Sequence, residues 1–536
     1  MSGAWTELRA TRWSDAQAAE YYRAGLWTED DFAGLLRRRA AEHPGRPACT
    51  DGRQGLTYAE LDERVRRASA GLGEHGLRPD DVVLLRASNT TAHVTAFFAL
   101  AAAGAVVYET PTDASPAQVA EAIGRVHASA IVSDSAAHLE DPAVARSATL
   151  RVALVEEANA AGAVAWGDLL GAPAAEPAPR DPDRVSMLTP TSGTTGTPKI
   201  AMRTANCSLA MARMLVRQSK VEAGDTFLVA APLYGGTGAI NAFGVPALTG
   251  CTLVVAPDLK PDPLLDLIER YRVTRIATLP TLATRMLASE RFAASDTSTV
   301  ESLQTGGAAL KAEVAKDIEA AFGCRVAVIY GSIDVGCPSS VSIEETDLVH
   351  RGLVGRPTLG SEVRIIDPEG NPLGPGEVGE IAMRGPDTAV GYFEDPEATA
   401  RAFDADGWGH LGDLGSIDAD GNLRVSGRLK EIINRGGKKI SIAEVENAVA
   451  AFPPVLDVAA VGYPDEDLGE RCAVFVVTRP EEPVALAGLR EHLERRGVPK
   501  YMWPERVENV GALPVAGSGK VRREQLREWL ATAPPG

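Results

Sequence analysis

One short stretch limits the folds open to this chain more than any other: Thr189, Pro190, Thr191, Ser192, Gly193, Thr194, Thr195, Gly196, Thr197, Pro198 and Lys199. The apolar run 185–188 before it reads as a buried strand, and 200–202 after it as the next one. Glycines let successive backbone N–H groups turn inward into an anion-binding nest. The hydroxyls of Thr191, Ser192, Thr194 and Thr195 add donors for phosphate oxygens, and Lys199 adds a point charge. The pattern is not a Walker loop, because no G-x-x-x-x-G-K-[ST] is present and the chain runs on into a strand instead of a helix. A solvated Ser/Thr/Gly turn is the plain alternative. Hydroxyl, glycine and lysine together suit one polyphosphate better.

Around this loop the chain alternates. Strands are expected over 82–85, 106–108, 130–133 and 152–155, and beyond the loop over 226–230, 252–256, 275–278, 302–309 and 326–330. Helices are expected at 18–27, 30–43, 91–103, 205–218 and 263–271, with a further one opened by Thr57 as N-cap and Glu60 three residues on, a capping box. Such alternation implies an α/β fold with mostly parallel sheets and crossover helices. Residues 171–184, rich in Ala and Pro, read as a surface linker. From 352 to 427 the texture changes to short strands and Gly/Pro/Asp turns, as in a small barrel or antiparallel sheet. With 536 residues the chain is too long for one ordinary domain. We expect a large N-terminal domain over 1–428, with alternating parallel sheets and a barrel-like part, and a small mobile α+β C-terminal domain over 429–536.

A net charge of −18 argues against a nucleic-acid partner held by phosphate contacts. The six cysteines are scattered, without a C-x-x-C pair, and read as reduced structural thiols in a cytoplasmic protein. The eight histidines make no metal-ligand cluster. The longest apolar run, 96–108, is too short to span a bilayer, and the N-terminus lacks a basic segment followed by an apolar one, so neither a membrane partner nor a signal peptide is expected.

Further clusters lie at expected strand ends, where open α/β sheets bind ligands. Gly306, Gly307 and Ala308 offer a wall poor in side chains, and Tyr330 an aromatic face, suited to a planar base between them. Gly331, Ser332 and Asp334 follow. Ser332 is suited to donate to phosphate and Asp334 to hold a magnesium ion, which prefers carboxylate oxygen. Asp413 is suited to accept both ribose hydroxyls, and Arg428 to donate to the same sugar or a phosphate. Taken singly, each is a turn residue or a surface ion pair, and Lys520 on its glycine-rich loop is a solvated lysine.

Together, in this order from Thr57-Tyr58-Ala59-Glu60-Leu61 to Lys520, these motifs resemble the adenylate-forming superfamily of acyl-CoA ligases, peptide-synthetase adenylation domains and luciferases. The resemblance implies ATP and Mg2+, with Lys520, Asp334 and Thr191 as catalytic residues, the loop from Ser192 to Lys199 on phosphate, and Asp413 with Arg428 on ribose. It also implies a hinge at Lys430, and Gly436 and Gly437 beside a thiol arm, with CoA as the thiol. Asp334 stands where the superfamily usually has glutamate: the charge is kept and the reach is one methylene shorter. The stretch 21–27 resembles aryl-acid adenylating enzymes and related cyclic-acid CoA ligases. Tyr234, Gly238, Gly306, Val335 and Gly336 are the expected pocket walls, and Tyr with small residues suits a planar ring. The expected activity is AMP-forming activation of an aryl or cyclic carboxylic acid and its transfer to CoA. Carrier-protein loading, nitrite activation for diazotisation of an aryl amine, and a non-catalytic nucleotide-binding protein are the alternatives.

Overall fold

In the computed structural model the described residues are 13–155, 159–177, 180–191, 198–429, 431–436, 438–479, 481–514 and 521–532. They fall into two compact units, Met1–Val363 with Met383–Leu411, and Arg364–Ala382 with Gly412–Gly536. The position after 428 is the end of strand Leu423–Arg428, inside the second unit.

The first unit carries two large sheets. One runs in the order Arg356–Pro357, Gly336–Val341, Arg325–Ser332, Ser302–Gly306, Arg275–Thr278, Thr226–Ala230, Thr252–Val255, Pro47–Thr50 and Gly55–Thr57. The six strands from Arg325–Ser332 to Pro47–Thr50 pair in parallel. The other runs Gly391–Tyr392, Ile200–Thr204, Val185–Pro190, Val106–Glu109, Val82–Arg86, Ala130–Ser133, Leu150–Ala153 and Val164–Ala165. Its six strands from Val185–Pro190 onward are parallel. Parallel strands are covered on both faces and so read as continuous apolar runs; all five residues of Val82–Arg86 are buried. Helix Thr91–Ala102 is apolar nearly all round, as a helix enclosed on every side must be. Within the same core Phe97 stacks on Phe243 with ring centroids 3.8 Å apart.

Local chemistry sets the element ends. Thr57 and Glu60 form the expected box at the start of helix Tyr58–Glu74: the Glu60 N–H donates to the Thr57 hydroxyl, and the Thr57 N–H donates to the Glu60 carboxylate at 2.8 Å. The helix expected at 18–27 is Asp15–Arg23, started by Ser14 in a capping box with Gln17. It stops early because Gly25 turns the chain at φ +68°, which sends Leu26 and Trp27 inward, where the Trp27 indole donates to the Pro386 carbonyl at 2.9 Å. The helix opened by the turn at 232–238 is split into Gly236–Ala239, a π-helical turn over Ile240–Gly244, and Val245–Thr249. Pro246 explains the wide turn, since it has no N–H and its ring would strike a carbonyl of the preceding turn.

The second unit contains most of a four-stranded sheet, Glu362–Ile366, Gly379–Arg384, Gly409–Ile417 and Leu423–Arg428. It also has a five-stranded sheet of Lys438–Ser441, Ile432–Arg435, Gly469–Thr478, Val455–Asp465 and Arg506–Val510, covered by helices such as Ile442–Ala450 and Leu486–Arg495. Ile433, Val445, Val474 and Leu489 form part of its own core. The α/β body and the α+β second unit match the expected fold class. All six cysteines are buried and unpaired. No described helix is long and apolar enough to cross a membrane.

Candidate active site

The loop expected to bind phosphate joins two antiparallel strands, Val185–Pro190 and Ile200–Thr204, and is closed at its base by the Thr191 N–H donating to the Lys199 carbonyl at 2.8 Å. Ser192, Gly193, Thr194, Thr195 and Gly196 lie outside the described residues. Thr191 is buried at the loop's edge, and its hydroxyl has no hydrogen-bond partner among the described residues. The buried Thr305 hydroxyl, next to Gly306 at the end of strand Ser302–Gly306, has none either. Buried hydroxyls left unpaired are costly unless a ligand satisfies them, so both fit a site for a nucleotide with its phosphates.

Strands Ser302–Gly306 and Arg325–Ser332 run in parallel with Gly306 beside Ile329, so both end on one edge. Gly307 and Ala308 follow there as exposed residues, and Tyr330, Gly331 and Ser332 complete the neighbouring strand end. Asp334 sits at the tip of the turn between Arg325–Ser332 and Gly336–Val341. The Val335 N–H donates to Asp334 Oδ1 at 3.0 Å and to the Ser332 hydroxyl at 3.2 Å. Asp334 Oδ2 accepts from the Tyr392 hydroxyl at 2.7 Å, and Lys199 Nζ donates to that same hydroxyl at 2.9 Å. Lys199 of the loop and Asp334 of the turn are thus brought together with one phenol oxygen between them. A magnesium ion takes one or two carboxylates plus substrate phosphate oxygens, and half-buried Asp334 is a donor of that kind.

Beneath this line lies Arg203, 0% exposed on strand Ile200–Thr204. Its guanidinium donates to the carbonyls of Ile333, Asp387 (3.2 Å) and Cys207 (3.0 Å) and to the Ser208 hydroxyl (3.2 Å). Asp387, 4% exposed, accepts the Cys337 N–H at 2.8 Å on Oδ2, while Oδ1 has no partner among the described residues. Burial pushes the Asp387 carboxyl up to about 6, against the opposing pull of the Cys337 N–H and the Arg203 charge. The folded protein therefore holds this proton more tightly than the unfolded chain. Stability from the group is fully present below about pH 4 and is lost as pH rises through about 6, on the order of 3 kcal/mol by neutral pH. Asp387→Asn keeps an acceptor for Cys337 and is expected to remove that decline. Melting curves from about pH 4 to about pH 7 check it: wild type should lose ground to the variant as pH rises, and parallel curves would rule Asp387 out.

The expected pocket walls divide. Tyr234 is half-buried in a turn pinned by Asn89, which donates to the Ala231 carbonyl at 2.9 Å and accepts the Leu233 N–H at 3.1 Å. Burial, with the Asp113 charge, pushes the Tyr234 phenol up. Gly236 of this turn packs on Ile333, the neighbour of Asp334, so turn and carboxylate adjoin. Gly238 does not present a wall: a Cβ there would lie 1.7 Å from the Pro232 carbonyl oxygen, so the residue serves close backbone approach. Val335 is buried, packed among Met383, Tyr392 and Phe403. Gly336 likewise backs onto Asp387 and Met383, each 2.9 Å from where its Cβ would be. The sharp turn at 332–336 rotates these two residues into the core.

In the second unit Asp413 and Arg428 face each other as register partners, with Arg428 Nε 3.1 Å from Asp413 Oδ1. Asp413 is buried and Arg428 exposes 43% of its side chain. Gly436 follows strand Ile432–Arg435, its N–H donating to the Leu468 carbonyl at 2.7 Å. Lys430, Gly437 and Lys520 lie outside the described residues. Sequence reasoning missed Arg203, Tyr392, Asp387 and Asn89. For Arg203 a signal existed, since a charge within the apolar run 200–202 and its continuation has to find partners.

The family model described as AMP-binding enzyme matches residues 36–393, and the one described as AMP-binding enzyme C-terminal domain matches 444–520. Pyochelin synthase PchD of Pseudomonas aeruginosa (strain UCBPP-PA14) is 35% identical, with 97% of this chain and 96% of that protein covered. The salicyl-AMP ligase / salicyl-S-ArCP synthetase of Mycobacterium tuberculosis (strain ATCC 25618 / H37Rv) is 34% identical, with 96% and 94% covered. The apo structure of Mycobacterium smegmatis MbtA aligns at a TM-score of 0.72 and 30% identity, with 98% of this chain and 100% of that one covered. A cation of the hairpin loop and a carboxylate of a neighbouring turn held on one phenol oxygen, and relatives matched over nearly their full length, lead to one assignment: the chain belongs to the AMP-binding enzyme family, within the adenylate-forming superfamily, and is an AMP-forming acid ligase.

Proposed function

We propose that this ligase activates an aryl carboxylic acid with ATP and passes the acyl group to the thiol of a carrier protein. The observation that carries the reading is the line Lys199–Tyr392–Asp334, a cation and a carboxylate one oxygen apart beside the phosphate hairpin. In the first half-reaction a carboxylate oxygen of the acid bonds to the α-phosphorus of ATP, the bond from that phosphorus to the bridging oxygen breaks, and pyrophosphate leaves. In the second, the thiol sulfur bonds to the acyl carbon, the thiol proton is released, and AMP leaves.

The first half brings two anions together, so the protein's task there is orientation and charge neutralisation. The loop from Thr191 to Lys199 binds phosphate oxygens, Gly307, Ala308 and Tyr330 flank the base with Gly331 and Ser332 at its edge, and Asp413 and Arg428 take the ribose. Asp334 would hold a magnesium ion, which would supply positive charge at the phosphates. Lys520 serves the first half-reaction. Residues 429–536 then turn about Lys430 and present Gly436 and Gly437 to the thiol arm.

Half-buried Tyr234 supports a planar acid. The name of the Mycobacterium tuberculosis relative, salicyl-AMP ligase / salicyl-S-ArCP synthetase, supports both an aryl acid and a carrier over CoA. Acid-dependent exchange of pyrophosphate into ATP tests the first half, with a panel of aryl, cyclic and aliphatic acids and with nitrite alone. Exchange with hydroxylated benzoates is expected. Exchange with nitrite only would replace acid ligation by diazotisation. Thioester formation on a phosphopantetheinylated carrier, set against CoA, then decides the acceptor.

A further inference from the structure

We propose that the Tyr392 hydroxyl is a positioning group that holds Lys199 and Asp334 at a fixed spacing and blocks their direct ion pair. The inference rests on the adenylation reading above and gives Tyr392, there only part of the geometry, a task of its own.

The proton count fixes the roles. An ammonium only donates, so Lys199 donates to the phenol oxygen at 2.9 Å, and the phenol's single proton goes to Asp334 Oδ2 at 2.7 Å. The backbone around Tyr392 is tied on every side. The Val390 and Phe393 N–H groups donate to the Met202 (2.9 Å) and Ile200 (2.8 Å) carbonyls, on the strand that leaves the phosphate loop. The Tyr392 N–H donates to the Thr399 hydroxyl at 2.9 Å, and the Ala389 N–H to the carbonyl of Asp334 itself at 2.9 Å. The ring is buried with Val335 and Phe403, and Lys199 Nζ lies 4.0 Å from its centroid. The oxygen is therefore placed by the fold, while the lysine carries a flexible four-carbon stem.

Opposite charges this near each other, partly screened from water, attract strongly. With nothing between them they would close into a direct pair, spending on each other the charges a metal–triphosphate needs. The phenol satisfies one donor of the cation and one acceptor of the anion and keeps them apart. Asp334 strengthens the arrangement: one methylene shorter than glutamate, it has less reach around the ring to the ammonium.

The test is ATP binding by calorimetry, with no acid present, in Tyr392→Phe, Asp334→Asn and the double variant. Tyr392→Phe removes one oxygen and keeps the ring. It should weaken MgATP binding about tenfold, and should also weaken ATP binding in EDTA, because Asp334 then captures Lys199. The double variant should recover wild-type affinity for metal-free ATP, since the capturing charge is gone. A packing defect at residue 392 could not be repaired from residue 334. Tyr392→Phe binding ATP as wild type does, or no recovery in the double variant, would overturn the proposal while leaving adenylation intact. Wild-type protein that binds no MgATP would instead overturn the adenylation reading itself.

Discussion

Lys520→Ala is expected to lower acid-dependent pyrophosphate exchange by about 100-fold or more, while thioester formation from a supplied acyl-adenylate survives. The reason lies in where charge builds up. When the acid attacks phosphorus, two anions converge and negative charge grows on the oxygens of the transferring group. A preorganised ammonium there stabilises the transition state more than the ground state, and losing one such donor commonly costs a factor of about 10²–10³. In thioester formation the bond to phosphorus already exists and AMP departs, so the same ammonium has no comparable task. The two half-reactions are separately measurable. Equal loss in both would refute this division of labour and make Lys520 a general requirement for substrate binding.

Arg203→Met should be the most damaging single change to stability, at about 3–5 kcal/mol. Methionine fills similar length but has no donor. The carbonyls of Ile333, Asp387 and Cys207 each lose a partner in a place water does not reach, and Asp387 loses the nearby positive charge that opposes its protonation. Arg203→Lys should recover only part of the loss, because an ammonium at the end of a single stem cannot serve acceptors on both sides as a planar fork does. The denaturant midpoint at constant slope measures this. Any Arg203→Lys protein that folds should also bind MgATP more weakly, since Ile333 immediately precedes Asp334. An unchanged midpoint for the methionine variant would mean that those carbonyls had found other partners.

The sequence was most informative where the chemistry is local. The strands flanking the phosphate loop are apolar because both faces are covered, and the Thr57 box needs only residues three apart, so both were legible. Asp334 and Lys199 stood out as charges at the ends of apolar runs. What joins them was not legible. Tyr392 reaches Lys199 across 193 positions and Asp334 across 58, and Arg203 reaches Ile333 across 130. No periodicity within a window records contacts of that separation. Val335 differs for another reason: adjacency to Asp334 suggested the same wall, but Val335 packs into the core with Met383 and Phe403. The π-helical turn at Ile240–Gly244 followed from Pro246, whose missing N–H a helical apolar pattern does not reveal.

The burial of the cysteines acquires meaning once the product of the first half-reaction is considered. An acyl-adenylate is an electrophile that any reachable thiolate would consume, and this protein is read as making one and holding it for an incoming sulfur. Its own six sulfurs are all enclosed. In five of them, Cys49, Cys251, Cys324, Cys337 and Cys472, burial also pushes the thiol up, so the nucleophilic anion is scarce at neutral pH. The catalyst is thereby shielded from acylating itself, and the activated acid is kept for the acceptor.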